Sequence, residues 1–115
     1  MKLTIYHNPR CRKSREALHY LEENDFEVEV VRYLDHPIKS SELELIYDQL
    51  GDDSALLIRK NESHWKENYK GKTLTKKQQI QLLIEYPKLM ERPIISNGKK
   101  AVIARPLEKI HQILN

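Results

Sequence analysis

The clearest structural pattern in the chain lies in residues 3–30, which read LTIYHNPRCRKSREALHYLEENDFEVEV. Alternating apolar residues predict a strand over Lys2–Tyr6, and a second run of period two predicts another over Phe26–Val30. Between them, the spacing of apolar residues predicts a helix from about Cys11 to Glu23. Two parallel strands joined by a helix form a βαβ unit.

The middle of the chain, at about residues 40–86, predicts a helical insert. Capping boxes that begin at Ser41 and at Thr75 indicate the starts of two helices, and Gly51 suits the end of the first. A shorter helix is expected after Asp52-Asp53, carrying Ala55, Leu56 and Leu57. The polar stretch Asn61–Lys72 is expected to be a loop with one helical turn.

The last part of the chain predicts a hairpin and a final helix. Asn97-Gly98 favours a tight turn between strands Pro93–Ser96 and Lys100–Ala104, and Pro106 suits the first position of the helix that follows. The order β-α-β, helical insert, β-β-α predicts an α/β protein with a short sheet. We expect one domain, residues 1–115, because this length suffices for one modest core.

Composition is typical of a soluble globular protein, with 39% hydrophobic and 32% charged residues. No apolar run approaches the ~20 residues that span a bilayer, and the N-terminus lacks a signal-peptide layout. The net charge of +3, without a long Lys/Arg run or interleaved aromatics, does not favour a nucleic-acid partner. A single cysteine excludes an internal disulfide, so we expect a cytoplasmic protein, and a monomer by default.

That cysteine, Cys11, is the first candidate for chemistry because it lies where a strand gives way to a helix. A thiol at a helix N-terminus faces unpaired N–H groups and the positive end of the helix dipole, which favour the reactive thiolate. Four of the nine residues in His7–Arg15 are Arg or Lys. The alternative is a small buried core cysteine.

The residues after Cys11 limit the type of thiol chemistry. Ser14 makes the segment Cys-x-x-Ser, so no dithiol cycle is available and an external thiol must resolve an oxidised Cys11. The phosphatase-like loop is also excluded, since Ala17 stands where it requires arginine. His7, as an imidazolium, would stabilise the thiolate, and Ser14 could donate a hydrogen bond to the sulfur. Asn8 could brace the loop by Asx-type bonds.

Three arginines, Arg59, Arg92 and Arg105, lie far apart in sequence at the boundaries of predicted elements. Each could be an ordinary solvated surface charge, but arginine also suits bidentate capture of a tetrahedral oxyanion. Pro93 follows Arg92, and X–Pro bonds alone populate the cis form appreciably. The histidines show no metal spacing, so no metal site is expected.

Together, four segments resemble the ArsC family of glutaredoxin-linked arsenate reductases. The segments are His7–Arg15, Leu57–Lys60, Lys88–Ile94 and Ala104–Pro106, and the resemblance runs from about Leu3 to Leu114. It implies a thioredoxin-like fold, with a mixed four-stranded sheet flanked by helices. In such a sheet a cis proline begins the strand beside the active thiol, a position that Pro93 would take.

The resemblance also implies an activity, the reduction of arsenate to arsenite in arsenic detoxification. Cys11 would be the catalytic thiol that forms a thiolate–arsenate adduct, and His7 would lower its pKa. The remaining expected site residues bind the oxyanion or support the loop: Arg59, Arg92 and Arg105 for binding; Asn8, Ser14, Arg15 and Pro93 for support. Glutathione is implied as co-substrate and glutaredoxin as partner protein, with no bound cofactor.

Two other classes of function share this fold. Spx-type regulators bind RNA polymerase, but they carry a Cys-x-x-Cys switch, and Ser14 argues against it. Monothiol glutaredoxin-like carriers use Cys-Gly-Phe-Ser, and Arg12-Lys13 argue against that reading. An interaction module also has no evident need for three anion-binding arginines, which favours the reductase.

Overall fold

The computed structural model describes residues 2–114, so Met1 and Asn115, the two ends of the predicted domain, lie outside the described residues. The strands are β1 Lys2–Tyr6, β2 Glu27–Val31, β3 Ile94–Ser96 and β4 Ala101–Ile103. The α-helices are α1 Arg12–Glu23, α2 Ser40–Leu50, α3 Ser63–Asn68 and α4 Lys76–Glu85. Three 3-10 helices cover Gly51–Leu56, Pro87–Leu89 and Leu107–Ile113.

The four strands form one mixed sheet in the order β2-β1-β3-β4. β1 runs parallel to β2, with Ile5 opposite Val30, and antiparallel to β3, with Ile5 opposite Ile95. β3 and β4 are antiparallel, with Ile95 opposite Val102. This sheet, with helices on both faces, confirms the predicted α/β class and thioredoxin-like order.

The core is divided between the two faces of the sheet, because successive strand residues point to opposite sides. On one face, Ile95 and Val102 pack with apolar residues of α1 and the C-terminal 3-10 helix. On the other, Ile94 and Ile103 pack against the helical insert, α2 to α4. β3 is therefore covered by apolar side chains on both of its faces.

Three helical details differ from the sequence-based expectations. The N-cap of α2 is Lys39, two residues before the expected Ser41, and the Glu42 carboxylate accepts a hydrogen bond from the N–H of Lys39 at 3.2 Å. The stretch expected to be mainly loop contains α3, anchored by the buried Trp65. The last helix is a 3-10 helix, and Pro106 caps it rather than occupying its first position.

The predicted hairpin is present, but only one residue of its Asn-Gly pair has a positive φ. Gly98 has φ of +93°, a conformation that favours glycine. Asn97 instead accepts hydrogen bonds on its side-chain oxygen from the N–H groups of Lys99 and Lys100, at 2.9 and 2.8 Å. At the other predicted capping box, Thr75 Oγ1 accepts from Gln78 N–H and Gln78 Oε1 accepts from Thr75 N–H, as predicted.

None of the helices within residues 2–114 has the length and apolar character needed to cross a membrane.

Candidate active site

The loop between β1 and α1 holds Cys11 at the N-cap of α1, in extended backbone geometry. Asn8 organises this loop: its backbone carbonyl accepts from Cys11 N–H and its side-chain Oδ1 accepts from Arg10 N–H, both at 3.0 Å. Arg15, one turn into the helix, donates to the carbonyl of Pro9 at 3.0 Å. These bonds fix the sulfur at the start of a twelve-residue helix.

The environment of the Cys11 thiol favours its ionised form. The side chain is buried, and burial by itself raises the pKa of the thiol. The backbone N–H groups of Ser14 and Lys13 and the charge of Arg92 outweigh that effect and lower the pKa below its ordinary value. A core cysteine would be surrounded by apolar groups, whereas this sulfur faces donors and cations, so its surroundings are those of a reactive thiol.

His7 and Ser14 form a buried pair beside the thiol, and their geometry differs from the sequence-based expectation. His7 Nδ1 lies 2.7 Å from Ser14 Oγ, and the same hydroxyl accepts from Asn8 N–H at 3.0 Å. The hydroxyl thus joins the histidine to the loop, while the backbone N–H of Ser14 is the group that stabilises the thiolate.

The expected imidazolium at position 7 is not supported. Burial lowers the pKa of His7, and the nearby charges of Arg32 and Arg15 lower it further, against a smaller opposite effect of Glu22. Because histidine normally titrates just below neutral pH, a lowered pKa leaves this ring neutral at pH 7. Its contribution is therefore to loop geometry through Ser14.

Two backbone connections bring the three distant arginines together. Arg59 N–H donates to Leu89 O, and Glu91 N–H donates to Leu57 O, both at 2.7 Å, which pairs the Arg59 segment with the one that precedes β3. Ala104 N–H donates to Pro93 O at 2.9 Å, which places Arg105 beside the same segment. The peptide bonds before Pro93 and Pro106 are cis.

The arginine cluster surrounds the sulfur and the carboxylate of Glu91, and Arg59 Nη1 also donates to Glu62 Oε1 at 2.8 Å. Arg105 Nη2 lies 3.9 Å from Cys11 Sγ, and its Nη1 donates to Glu91 Oε1 at 3.0 Å. Nη1 of Arg92 and Nε of Arg59 lie 3.5 and 3.9 Å from that same oxygen. Nε and Nη1 of Arg92 are buried, and within residues 2–114 neither has a hydrogen-bond partner, the contact of Nη1 with Glu91 being an ion pair.

Sequence reasoning missed two residues of this site, Glu91 and Tyr33. A glutamate beside an arginine, as Glu91 is, looks the same in sequence as a surface ion pair. Tyr33 is 1% exposed, and burial raises its pKa to about 12, with smaller effects from Arg92, Cys11 and other charges of the site. Its hydroxyl therefore stays protonated at neutral pH. The only sequence signal for Tyr33 was its place just after β2, beside the end of β1.

Among residues 2–114, no group of three or more His, Cys, Asp or Glu side chains has the geometry to hold a metal ion.

Known proteins resemble this chain over nearly its whole length. A sequence profile of the ArsC family matches residues 6–113. An arsenate reductase of Neisseria meningitidis serogroup A is 41% identical, with 98% of each chain covered. The Escherichia coli K12 protein called uncharacterized protein YfgD is 44% identical, over 98% of this chain and 97% of that protein. Among solved structures, an arsenate reductase from Vibrio cholerae superposes with a TM-score of 0.90 at 38% identity, covering 99% of this chain and 98% of its own.

Proposed function

The chain belongs to the ArsC family, and from that membership we propose that it reduces arsenate to arsenite at Cys11, with glutathione and glutaredoxin as the source of electrons. One observation carries the proposal. A thiol with a lowered pKa, at the N-terminus of α1, lies within reach of a cluster of three arginines.

The arginines address the electrostatic difficulty of the first step, in which an anionic thiolate attacks an anionic oxyanion. Arsenate at neutral pH carries one to two negative charges and has the tetrahedral shape that guanidinium groups bind in bidentate fashion. Arg59, Arg92 and Arg105 would offset its charge, and the positive end of the α1 dipole would add to that effect. The buried, unpartnered nitrogens of Arg92 are suited to this role.

In the first chemical step, the Cys11 thiolate forms a bond to arsenic, and an oxygen of arsenate leaves as hydroxide, or as water after protonation. Arg105, 3.9 Å from the sulfur, would stabilise the negative charge that the arsenate oxygens carry during attack. The product is a thiolate–arsenate adduct on Cys11, with arsenic still pentavalent.

In the second step, the thiol of glutathione attacks the Cys11 sulfur. The sulfur–arsenic bond breaks, its electron pair stays on arsenic, and the proton of glutathione goes to an oxygen of the arsenite that leaves. Two electrons pass to arsenic, and the two sulfurs form a mixed disulfide. A thiol of glutaredoxin then takes up the glutathionyl group, which returns Cys11 to the thiol. Ser14 stands in place of a second cysteine, which is consistent with resolution by an external thiol.

The proposal is tested by arsenate-dependent NADPH oxidation with purified protein, glutathione, glutaredoxin and glutathione reductase. We expect turnover that requires both arsenate and glutathione, and none with Cys11→Ser, whose fold is checked by circular dichroism. Turnover by the serine variant would contradict the role of Cys11. A folded wild-type protein without turnover would contradict the reductase and favour a regulatory ArsC-like protein that binds a protein partner.

A further inference from the structure

We infer that Glu91 is an internal anion that occupies the arginine cluster in the free protein and that the substrate oxyanion must displace. The inference rests on the proposed function for the identity of the substrate, but its geometry is independent of the reaction. Glu91 would then compete with the incoming anion for the same guanidinium donors.

A single oxygen of Glu91 receives all of these contacts. Oε1 accepts hydrogen bonds from Arg105 Nη1 at 3.0 Å and from the backbone N–H of Arg92 at 3.2 Å. The side chains of Arg92 and Arg59 approach the same oxygen at 3.5 and 3.9 Å. Three guanidinium groups from three separate segments thus surround one carboxylate oxygen.

This arrangement has an electrostatic reason. Three like charges held within a few ångströms of each other repel strongly where water is partly excluded. The side chains of Arg92 and Arg59 are only 13% and 19% exposed, so solvent screens the repulsion poorly. The Glu91 carboxylate offsets this repulsion among all three groups while no substrate is bound, and Glu62, which accepts from Arg59 Nη1 at 2.8 Å, offsets part of the charge of Arg59.

Because of these contacts, Glu91 and the substrate oxyanion compete for the donors of Arg105. Arg105 directs Nη1 to Glu91 and Nη2 to the sulfur of Cys11. An oxyanion that binds Arg105 end-on, through both of its Nη atoms, and lies close enough for attack by the sulfur would need the donor that Glu91 occupies. A tetrahedral dianion offers more charge and more acceptor oxygens than a carboxylate, so it can displace Glu91, whereas a weaker anion would not. Glu91 would then make the site selective for highly charged oxyanions.

The surroundings allow the carboxylate to move while its backbone stays fixed. The N–H of Glu91 is held by Leu57 O at 2.7 Å. Its side chain borders an open cleft of about 460 Å³ that Arg59 and Arg105 also line. Lys60 and Lys109 line that cleft as well. Lys109 is already paired with Asp53 Oδ2 at 3.2 Å, so Lys60 is the lysine that could receive the displaced carboxylate.

The test compares phosphate binding by wild type and Glu91→Gln, measured by isothermal titration calorimetry. Phosphate has the charge and shape of arsenate but is not reduced by thiols, so binding is separated from turnover. We expect Glu91→Gln to bind phosphate about tenfold more tightly, because the competing charge is gone. Glu85→Gln is the matched control: it makes the same change in net charge at an exposed side chain that contacts Gln81, and phosphate affinity should stay within about twofold of wild type.

Equal or weaker phosphate binding by a folded Glu91→Gln, including no binding by either protein, overturns the inference. If Glu91→Gln does not fold, a measurement on the wild-type protein still tests the inference. The carbon-13 resonance of the Glu91 carboxyl should shift as phosphate saturates the site, and an unchanged resonance at saturation overturns displacement. If Glu91→Gln binds phosphate more tightly but the wild-type protein does not reduce arsenate, only the proposed function is contradicted.

Discussion

Ser14 Oγ lies 2.7 Å from His7 Nδ1, and both residues are buried beside the reactive thiol. The hydroxyl also accepts from Asn8 N–H, so it connects the end of β1 to the first turn of α1. The group of Ser14 that acts on the Cys11 sulfur is its backbone N–H. Loop stability and thiolate stability therefore depend on different atoms of one residue.

Ser14→Ala separates these two contributions. Removing the hydroxyl leaves Nδ1 of the buried His7 and the N–H of the half-buried Asn8 without that partner, which should lower the free energy of unfolding by about 1–3 kcal/mol. The backbone N–H remains, so the pKa of Cys11 should change little. Urea unfolding measures the first quantity, and the pH dependence of iodoacetamide alkylation measures the second. A large rise in the pKa of Cys11 with unchanged stability would show that the hydroxyl acts on the sulfur after all.

The alkylation profile also distinguishes His7 from Arg92. Arg92→Gln removes a charge that lowers the pKa of Cys11, so the pH of half-maximal alkylation should move upward towards the ordinary thiol value. His7→Gln removes a ring that is neutral at pH 7 and keeps a polar side chain able to hydrogen-bond Ser14, so its upward shift should be clearly smaller. Equal shifts in the two variants would mean that His7 is protonated in the folded protein.

Most of the fold could be predicted because its signals are local. The period-two runs at Leu3–Tyr6 and Phe26–Val30 and the Asn97-Gly98 turn each indicate structure within a few residues. α3 was predicted only as a single helical turn within a loop, because Trp65 is the one buried residue in its six and no apolar stripe forms. The last helix looked α-helical because a 3-10 helix of seven residues differs from it in hydrogen bonding, which apolar spacing does not report.

The site was predictable in its residue types and less so in its arrangement. The convergence of Arg59 and Arg105 depends on long-range pairing of their segments with those around Glu91 and Pro93, which no sequence spacing encodes. The family resemblance alone indicated that these arginines act together. The charge of His7 depends on burial and on Arg32, so sequence distance to Cys11 was misleading.

The lowered pKa of Cys11 predicts a pH-dependent contribution to stability. A thiol whose pKa is lower in the folded than in the unfolded chain stabilises the fold at high pH, and this contribution is lost as pH falls through the folded-state pKa. The free energy of unfolding of wild type minus that of Cys11→Ser should therefore rise as pH increases from the acidic side up to the ordinary thiol pKa of about 8.5. Urea titrations of both proteins across that range measure it. A difference that stays constant or falls would contradict a thiolate in the folded state.

Arg92→Lys tests whether the planar donor set of the buried arginine, and not only its charge, binds the oxyanion. Nε and Nη1 of Arg92 are buried with no hydrogen-bond partner, so a bound oxyanion would supply acceptors for both. Lysine keeps the charge but offers one nitrogen in their place, and the loss of one charged hydrogen bond costs about 1.5–3 kcal/mol. We therefore expect the KM for arsenate to rise by about tenfold to a hundredfold, with a smaller effect on kcat.

The matched control for that substitution is Arg12→Lys. The Arg12 side chain is 84% exposed and pairs with Glu16 on the surface of α1, so the same chemical change there should leave KM within about twofold of wild type. Phosphate calorimetry on both variants separates binding from catalysis. If Arg92→Lys keeps the wild-type KM and phosphate affinity, the unpartnered nitrogens of Arg92 do not contact the oxyanion, and its role is limited to lowering the pKa of Cys11.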